Sequence, residues 1–166
     1  LTISRSGDFE IPRVVQLTQK TNQFNLTTRR YSEDDIRSMI QSDNYGVFHA
    51  SLKDRFGDMG IIGVCIIHTQ KEKNIIDTFL LSCRVLSRGV EEIFIKHMIW
   101  MCSQVNSKDI VGKYIPTKKN SQVAFFYKEN GFVETDLESG EWGFSVNVTM
   151  RHPQTPPTFL CVNVSY

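Results

Sequence analysis

The stretch with the clearest chemistry is Cys83-Arg84-Val85-Leu86-Ser87-Arg88-Gly89. It follows an apolar run, Asn74–Cys83, that reads as a strand. After it, Val90, Ile93, Phe94, His97, Met98 and Met101 recur at helical spacing, which predicts a helix from about Val90 to Val105. In a strand–loop–helix of this kind, small residues let the backbone approach a ligand, and the helix start presents unpaired N–H groups. A phosphate or pyrophosphate is favoured there by the donors and the helix dipole. Arg84, Ser87, Arg88 and Gly89 are therefore the candidate cofactor-binding residues; a tight packing turn is the competing reading. Cys83 stands at the strand's C-terminal end, beside Arg84 and ahead of the helix. Both neighbours favour the thiolate, so Cys83 is the candidate nucleophile, against the plainer role of a small strand residue.

The elements that would carry this loop follow from pattern. Residues up to Pro12 read as a linker or loose arm, punctuated by Gly7 and Pro12, and Arg13–Phe24 as a weak helix or irregular segment. Ser32, with acids in the next turn and Ile36, Met39 and Ile40 at helical spacing, predicts an amphipathic helix over Ser32–Ser42. Val47–Leu52 and Ile61–Thr69 read as strands joined by the turn Arg55–Gly60. A short strand is expected at Asp109–Tyr114, and a helix over Asn120–Asn130, capped by Asn120 and closed by Gly131. A strand is expected at Glu141–Arg151, a break at Pro153–Pro157 and a further strand within Thr158–Val164. The order of elements gives an α/β (α+β) class.

The 166 residues fit one domain, with 40% hydrophobic and 22% charged residues. A net charge of +1 argues against binding nucleic acid through a broad basic surface; Arg29-Arg30 and Lys118-Lys119 are local exceptions. Cys65, Cys83, Cys102 and Cys161 form no CxxC pair, and neither metal-ligand spacing nor a Ser-His-Asp arrangement emerges from His49, His68, His97 and His152. Free thiols, no apolar stretch of membrane-spanning length and no signal-peptide pattern lead to the expectation of a cytoplasmic protein without metal, membrane or nucleic-acid partner. The start at Leu1 suggests a processed or excised fragment.

Arg84-x-x-Ser87-x-Gly89 resembles the acyl-CoA loop of GNAT acyltransferases, Q/R-x-x-G-x-G/A, with Ser87 in a glycine position. Asn120-Ser-Gln-Val-Ala124-Phe-Phe126-Tyr127-Lys-Glu-Asn-Gly131-Phe132 is similar to the end of that domain. The resemblance implies a mixed, mostly antiparallel central sheet flanked by helices, residues 1–12 forming an arm and 13–166 the domain. It also implies coenzyme A or a phosphopantetheine as carrier, Asn120 lining it, and Tyr127 protonating the departing thiolate, unless Tyr127 is a core aromatic. A narrower resemblance covers about residues 13–132. Gln19-Lys20-Thr21-Asn22-Gln23-Phe24-Asn25-Leu26-Thr27-Thr28-Arg29-Arg30-Tyr31, Arg55-Phe56-Gly57-Asp58 and Asp77–Leu86, with Lys119-Asn120 and Phe126-Tyr127, look like the C-terminal region of FkbH-like proteins.

That family joins a haloacid-dehalogenase-like phosphatase half to a GNAT-like half and loads a glyceryl unit onto an acyl carrier protein for polyketide-type precursors. The chain has no Asp-x-Asp, so the phosphatase half is expected as a separate domain or protein. Thr21, Asn22, Gln23 and Asn25 would pair with the hydroxylated acyl group, because unpaired polar groups in a closed pocket are costly; alternatively they bond their own backbone. Arg29, with Arg30, could hold a phosphate or an acidic carrier protein, or simply be solvated. Asp58 and Asp77 are acidic candidates near the pocket, with a turn and an arginine pair as their structural alternatives. The competing functions are an acetyl-CoA-dependent N- or O-acetyltransferase and a non-catalytic carrier-protein docking module.

Overall fold

The computed structural model describes residues 1–71, 73–104, 109–136, 142–147 and 163–165. Its centre is one sheet. In chain order, β1 (Thr2–Arg5) precedes α1 (Ile11–Lys20) and α2 (Glu33–Gln41), followed by the meander β2 (Tyr45–Asp54), β3 (Gly57–Gln70) and β4 (Lys73–Leu81). Then come α3 (Val90–Ser103), β5 (Asp109–Tyr114), the short α4 (Phe126–Glu129), β6 (Val133–Asp136), β7 (Trp142–Asn147) and β8 (Asn163–Ser165). The spatial order is β6-β7-β5-β4-β3-β2-β1-β8, antiparallel except for β4–β5 and β1–β8. This is the expected mixed, mostly antiparallel sheet.

One apolar cluster includes Phe79, Leu81, Phe94, Met98, Phe126 and Tyr127; the other buries α1 and α2 through Ile11, Val14, Leu17 and Ile36 against Val64, Ile66 and Leu80. Successive β4 residues point to opposite faces, so Leu80 and Leu81 belong to different clusters. The expected apolar continuity of β3 and β4 is thus the signature of strands covered on both faces. The capping of α2 follows its sequence: Ser32 Oγ accepts from the Asp35 amide at 3.2 Å, and Asp35 Oδ2 accepts from the Ser32 amide at 2.8 Å.

Three expectations need correction, and one strand was not foreseen. The N-terminal residues are no loose arm: β1 pairs with β2 from Thr2↔Ser51 to Arg5↔Phe48, and Leu1 and Ile3 are core residues. A two-residue alternation is too short a signal to read as a strand. Pro12 opens α1 instead of ending a linker, because a helix's first turn needs no N–H from it. Asn120–Asn130 is two short pieces, Ser121–Val123 and α4, and the Asn120 side chain is employed elsewhere. Finally, β6 was not expected at all. Of the expected strand Glu141–Arg151, Trp142–Asn147 is β7; Glu141, residues 148–151, the break at Pro153–Pro157, His152 and Cys161 lie outside the described residues. No described helix is long and apolar enough to cross a membrane.

Candidate active site

The parallel pair β4–β5 is in register only from Lys73↔Asp109 to Ile76↔Gly112. Beyond that point the strands part, and Asp77–Leu81 would present bare backbone toward Lys113 and Tyr114. The chain fills this gap itself. After α1, the segment Phe24–Leu26 runs antiparallel to β4, with Asn25 opposite Leu80. The Leu26 amide donates to Phe79 O at 3.1 Å, the Leu81 amide to Phe24 O at 3.0 Å, and the Ile115 amide to Leu26 O at 2.8 Å. Phe24 packs against Phe79 and Phe126 with ring centroids 6.3 and 5.1 Å apart.

Asparagines lock this segment. Asn120, fully buried, donates through Nδ2 to Asn25 O at 2.8 Å and Ile115 O at 3.0 Å, while its Oδ1 accepts from the Thr117 amide at 2.7 Å. Asn25 Nδ2 donates to Thr21 O at 3.2 Å, and its Oδ1 accepts from the Thr28 amide at 2.8 Å. Both side chains are satisfied by their own backbone, as buried amides must be. Arg29 forms an ion pair with Asp77, whose other oxygen accepts from the Tyr31 hydroxyl, so the block returns to β4 through a shared carboxylate. Burial and that carboxylate hold the Tyr31 phenol far above its ordinary range.

Where Phe24–Leu26 enters the sheet, a cavity of about 550 Å³ opens, lined by Lys20, Thr21, Asn22, Gln23, Phe24, Cys83, Lys118 and Lys119. Cys83 is an exposed free thiol in a short 3-10 turn after β4. The described residues give Lys20, Lys118 and Lys119 no carboxylate partner, so the rim is basic. Thus Cys83 and the run Thr21-Asn22-Gln23, some sixty residues apart in sequence, share one cavity; the adjacent lysines carried no sequence-level signal beyond the Lys118-Lys119 pair.

The other expected site residues lie elsewhere. Tyr127 is 1% exposed under β5, where its ring occupies the space a side chain at Gly112 would need. Burial raises its phenol well above normal, and it hydrogen-bonds the Lys113 backbone. It does not border the cavity, which fits the core-aromatic reading. Asp58 Oδ1 accepts from the Gly60 amide at 2.8 Å at the exposed start of β3. In the loop after Cys83, Ser87 has φ 61°, the left-handed conformation a glycine would adopt freely, and Gly89 has φ 74°. The Ser87 amide donates to Glu91 Oε1 at 3.2 Å, Arg88 pairs with Asp54 at 3.3 Å, and Arg84 reaches Met59 O at 3.4 Å. The described residues contain no His/Cys/Asp/Glu group arranged for a metal. A second cavity, about 450 Å³, lies at the opposite end of β4, where Asn74, His97 and Trp100 are among its walls.

Solved structures share this architecture. The ribosomal-protein-S18-alanine N-acetyltransferase from Escherichia coli aligns with a TM-score of 0.66 at 14% identity, over 90% of this chain and 95% of that one. The PaiA N-acetyltransferase from Thermoplasma acidophilum, in complex with coenzyme A, gives 0.69 at 12% identity, over 87% and 97%. An acetyltransferase of the GNAT family from Streptococcus pneumoniae gives 0.67 at 14%, over 87% and 97%. The chain has the GNAT acetyltransferase fold. At these identities the likeness establishes the fold alone. No family model matches the chain, and no curated protein matches it. Within the GNAT fold, Ser87 takes a glycine-type conformation in the loop before α3, and the expected carrier-lining Asn120 grips the chain's own backbone.

Proposed function

We propose that this domain passes a small hydroxylated acyl group, a glyceryl unit, through a thioester on Cys83 to the phosphopantetheine thiol of an acyl carrier protein. The observation that carries this reading is the shared cavity: an exposed thiol faces the neutral donors and acceptors of Thr21, Asn22 and Gln23 within a lysine rim. Such a wall suits hydroxyl groups, and the rim suits an anionic leaving group or an acidic carrier surface.

In the first step the Cys83 thiolate bonds to the carbonyl carbon of an acyl phosphate donor. The carbon–oxygen bond breaks, and phosphate leaves with the electron pair. In the second, the carrier's thiol attacks the Cys83 thioester; a new sulfur–carbon bond forms, the Cys83–carbon bond breaks, and the proton lost by the carrier thiol balances the thiolate released. Supply of the three-carbon donor falls to a haloacid-dehalogenase-like partner, and an unpaired exposed thiol suits a reducing cytoplasm.

Intact-protein mass spectrometry after incubation with donor, phosphatase partner and carrier tests the scheme. A glyceryl increment on Cys83, chased onto the carrier and lost in Cys83→Ala, is the expected result. Unchanged transfer by a folded Cys83→Ala protein sinks it. Turnover of acetyl-CoA with amines would favour an ordinary acetyltransferase, and carrier binding without transfer a docking module.

A further inference from the structure

Coenzyme A is bound in two of the solved structures that share this fold, but the residues of this chain do not fit it. A pantetheine arm is a string of methylenes broken by amides. Burying it requires backbone partners for those amides and an apolar channel for the rest. Among the described residues the sheet offers one place of that kind, the divergence of β4 and β5, beside the Cys83–Gly89 loop. There the Phe79 carbonyl and the Leu81 amide are bonded to Leu26 and Phe24, and the Ile115 amide to Leu26. The apolar volume is occupied too, by Phe24 at 7% and Leu26 at 0% exposure. Asn120 closes the arrangement from the far side by bonding the carbonyl of Asn25. A second observation is independent of the first. At the start of α3, where a diphosphate would sit, the Ser87 amide is bonded to Glu91, Glu92 adds another carboxylate, and Arg88 is turned to Asp54.

We infer that Phe24–Leu26 is a built-in strand standing where a pantetheine arm would lie, so that this domain excludes free coenzyme A and meets a carrier thiol only at the lysine-rimmed mouth beside Cys83. The exclusion is a matter of backbone pairing and stands apart from the chemistry at Cys83; only the route of the carrier thiol rests on the proposed transfer. The slot is closed to the pantetheine arm of a carrier protein as well, so preference for a carrier over a free acyl-CoA would have to come from the carrier's protein surface at the lysine rim.

Isothermal titration of the wild-type protein with coenzyme A and acetyl-CoA, combined with amide hydrogen exchange, provides the test. The expected result is no saturable binding below millimolar concentration and unchanged protection of the Leu26, Leu81 and Ile115 amides. Micromolar one-to-one binding, or loss of protection at Leu26 when coenzyme A is added, overturns the inference. Leu26→Ala loosens the segment; in the folded variant a gain of at least tenfold in coenzyme A affinity is expected, and no gain overturns the inference. If that variant does not fold, the wild-type exchange data decide. Cys83 acylation is read separately by mass spectrometry, so failure of the transfer scheme leaves this result intact and the reverse also holds.

Discussion

Replacing Asn120 by alanine removes the clamp that joins three parts of the chain. The side chain is 0% exposed and bridges Asn25 O, Ile115 O and the Thr117 amide. Asn25 is likewise buried, so its carbonyl would be left without a partner, at about 1–3 kcal/mol. Ile115 and Thr117 are half-exposed and can recover water, which limits each loss to about 0.5–1 kcal/mol. The expected sum is about 2–5 kcal/mol, a large share of a domain's ~5–15 kcal/mol. Urea denaturation should show it as a lower midpoint with the slope unchanged. Amide exchange should accelerate at Leu26 and Ile115 more than in β2 and β3. Asn120→Asp retains the acceptor for Thr117 but turns an oxygen on two carbonyls, so it should be no milder. A loss under about 1 kcal/mol for Asn120→Ala would refute the reasoning, because buried amides of this kind cost more than that to orphan.

Gly112→Ala would place a Cβ 2.5 Å from the Tyr127 ring; the ring has no room to withdraw, so a loss of about 3 kcal/mol is expected by thermal denaturation, reduced in a Tyr127→Leu background. Ser87→Gly relieves the left-handed conformation at φ 61° and should stabilise by about 0.5–1 kcal/mol, whereas Ser87→Val should lose about 1–2 kcal/mol in the same urea assay. His49 is held below its ordinary pKa by burial, which outweighs the pull of Glu10, and its Nδ1 lies 3.0 Å from Ser6 Oγ. The unfolded chain therefore takes up a proton first: stability is full above the ordinary histidine value of 6.5 and declines as pH falls below it toward the lower folded value. His49→Gln should flatten that part of the stability–pH curve; an unchanged curve would assign the decline to another group, such as His97, which burial also depresses.

Local pattern carried much of the architecture. The capping box of α2, the period of α3, the apolar runs of β3 and β4 and the strand Asp109–Tyr114 were legible because each is written within a dozen residues. A loop between β4 and α3 was legible for the same reason, whereas the left-handed conformation of Ser87 was not expected. Tertiary structure decided the rest. Leu1–Ile3 becomes a core strand only because β2 offers an edge to it. Resemblance alone implied catalysis for Tyr127 and carrier binding for Asn120, but one is sealed under Gly112 and the other grips Asn25. Whether a polar side chain faces a ligand or its own backbone depends on which groups long-range folding leaves unpaired. Here the gap between β4 and β5 creates the demand, Phe24–Leu26 meets it, and Thr21, Asn22, Gln23 and Cys83 are left to wall the cavity at its end.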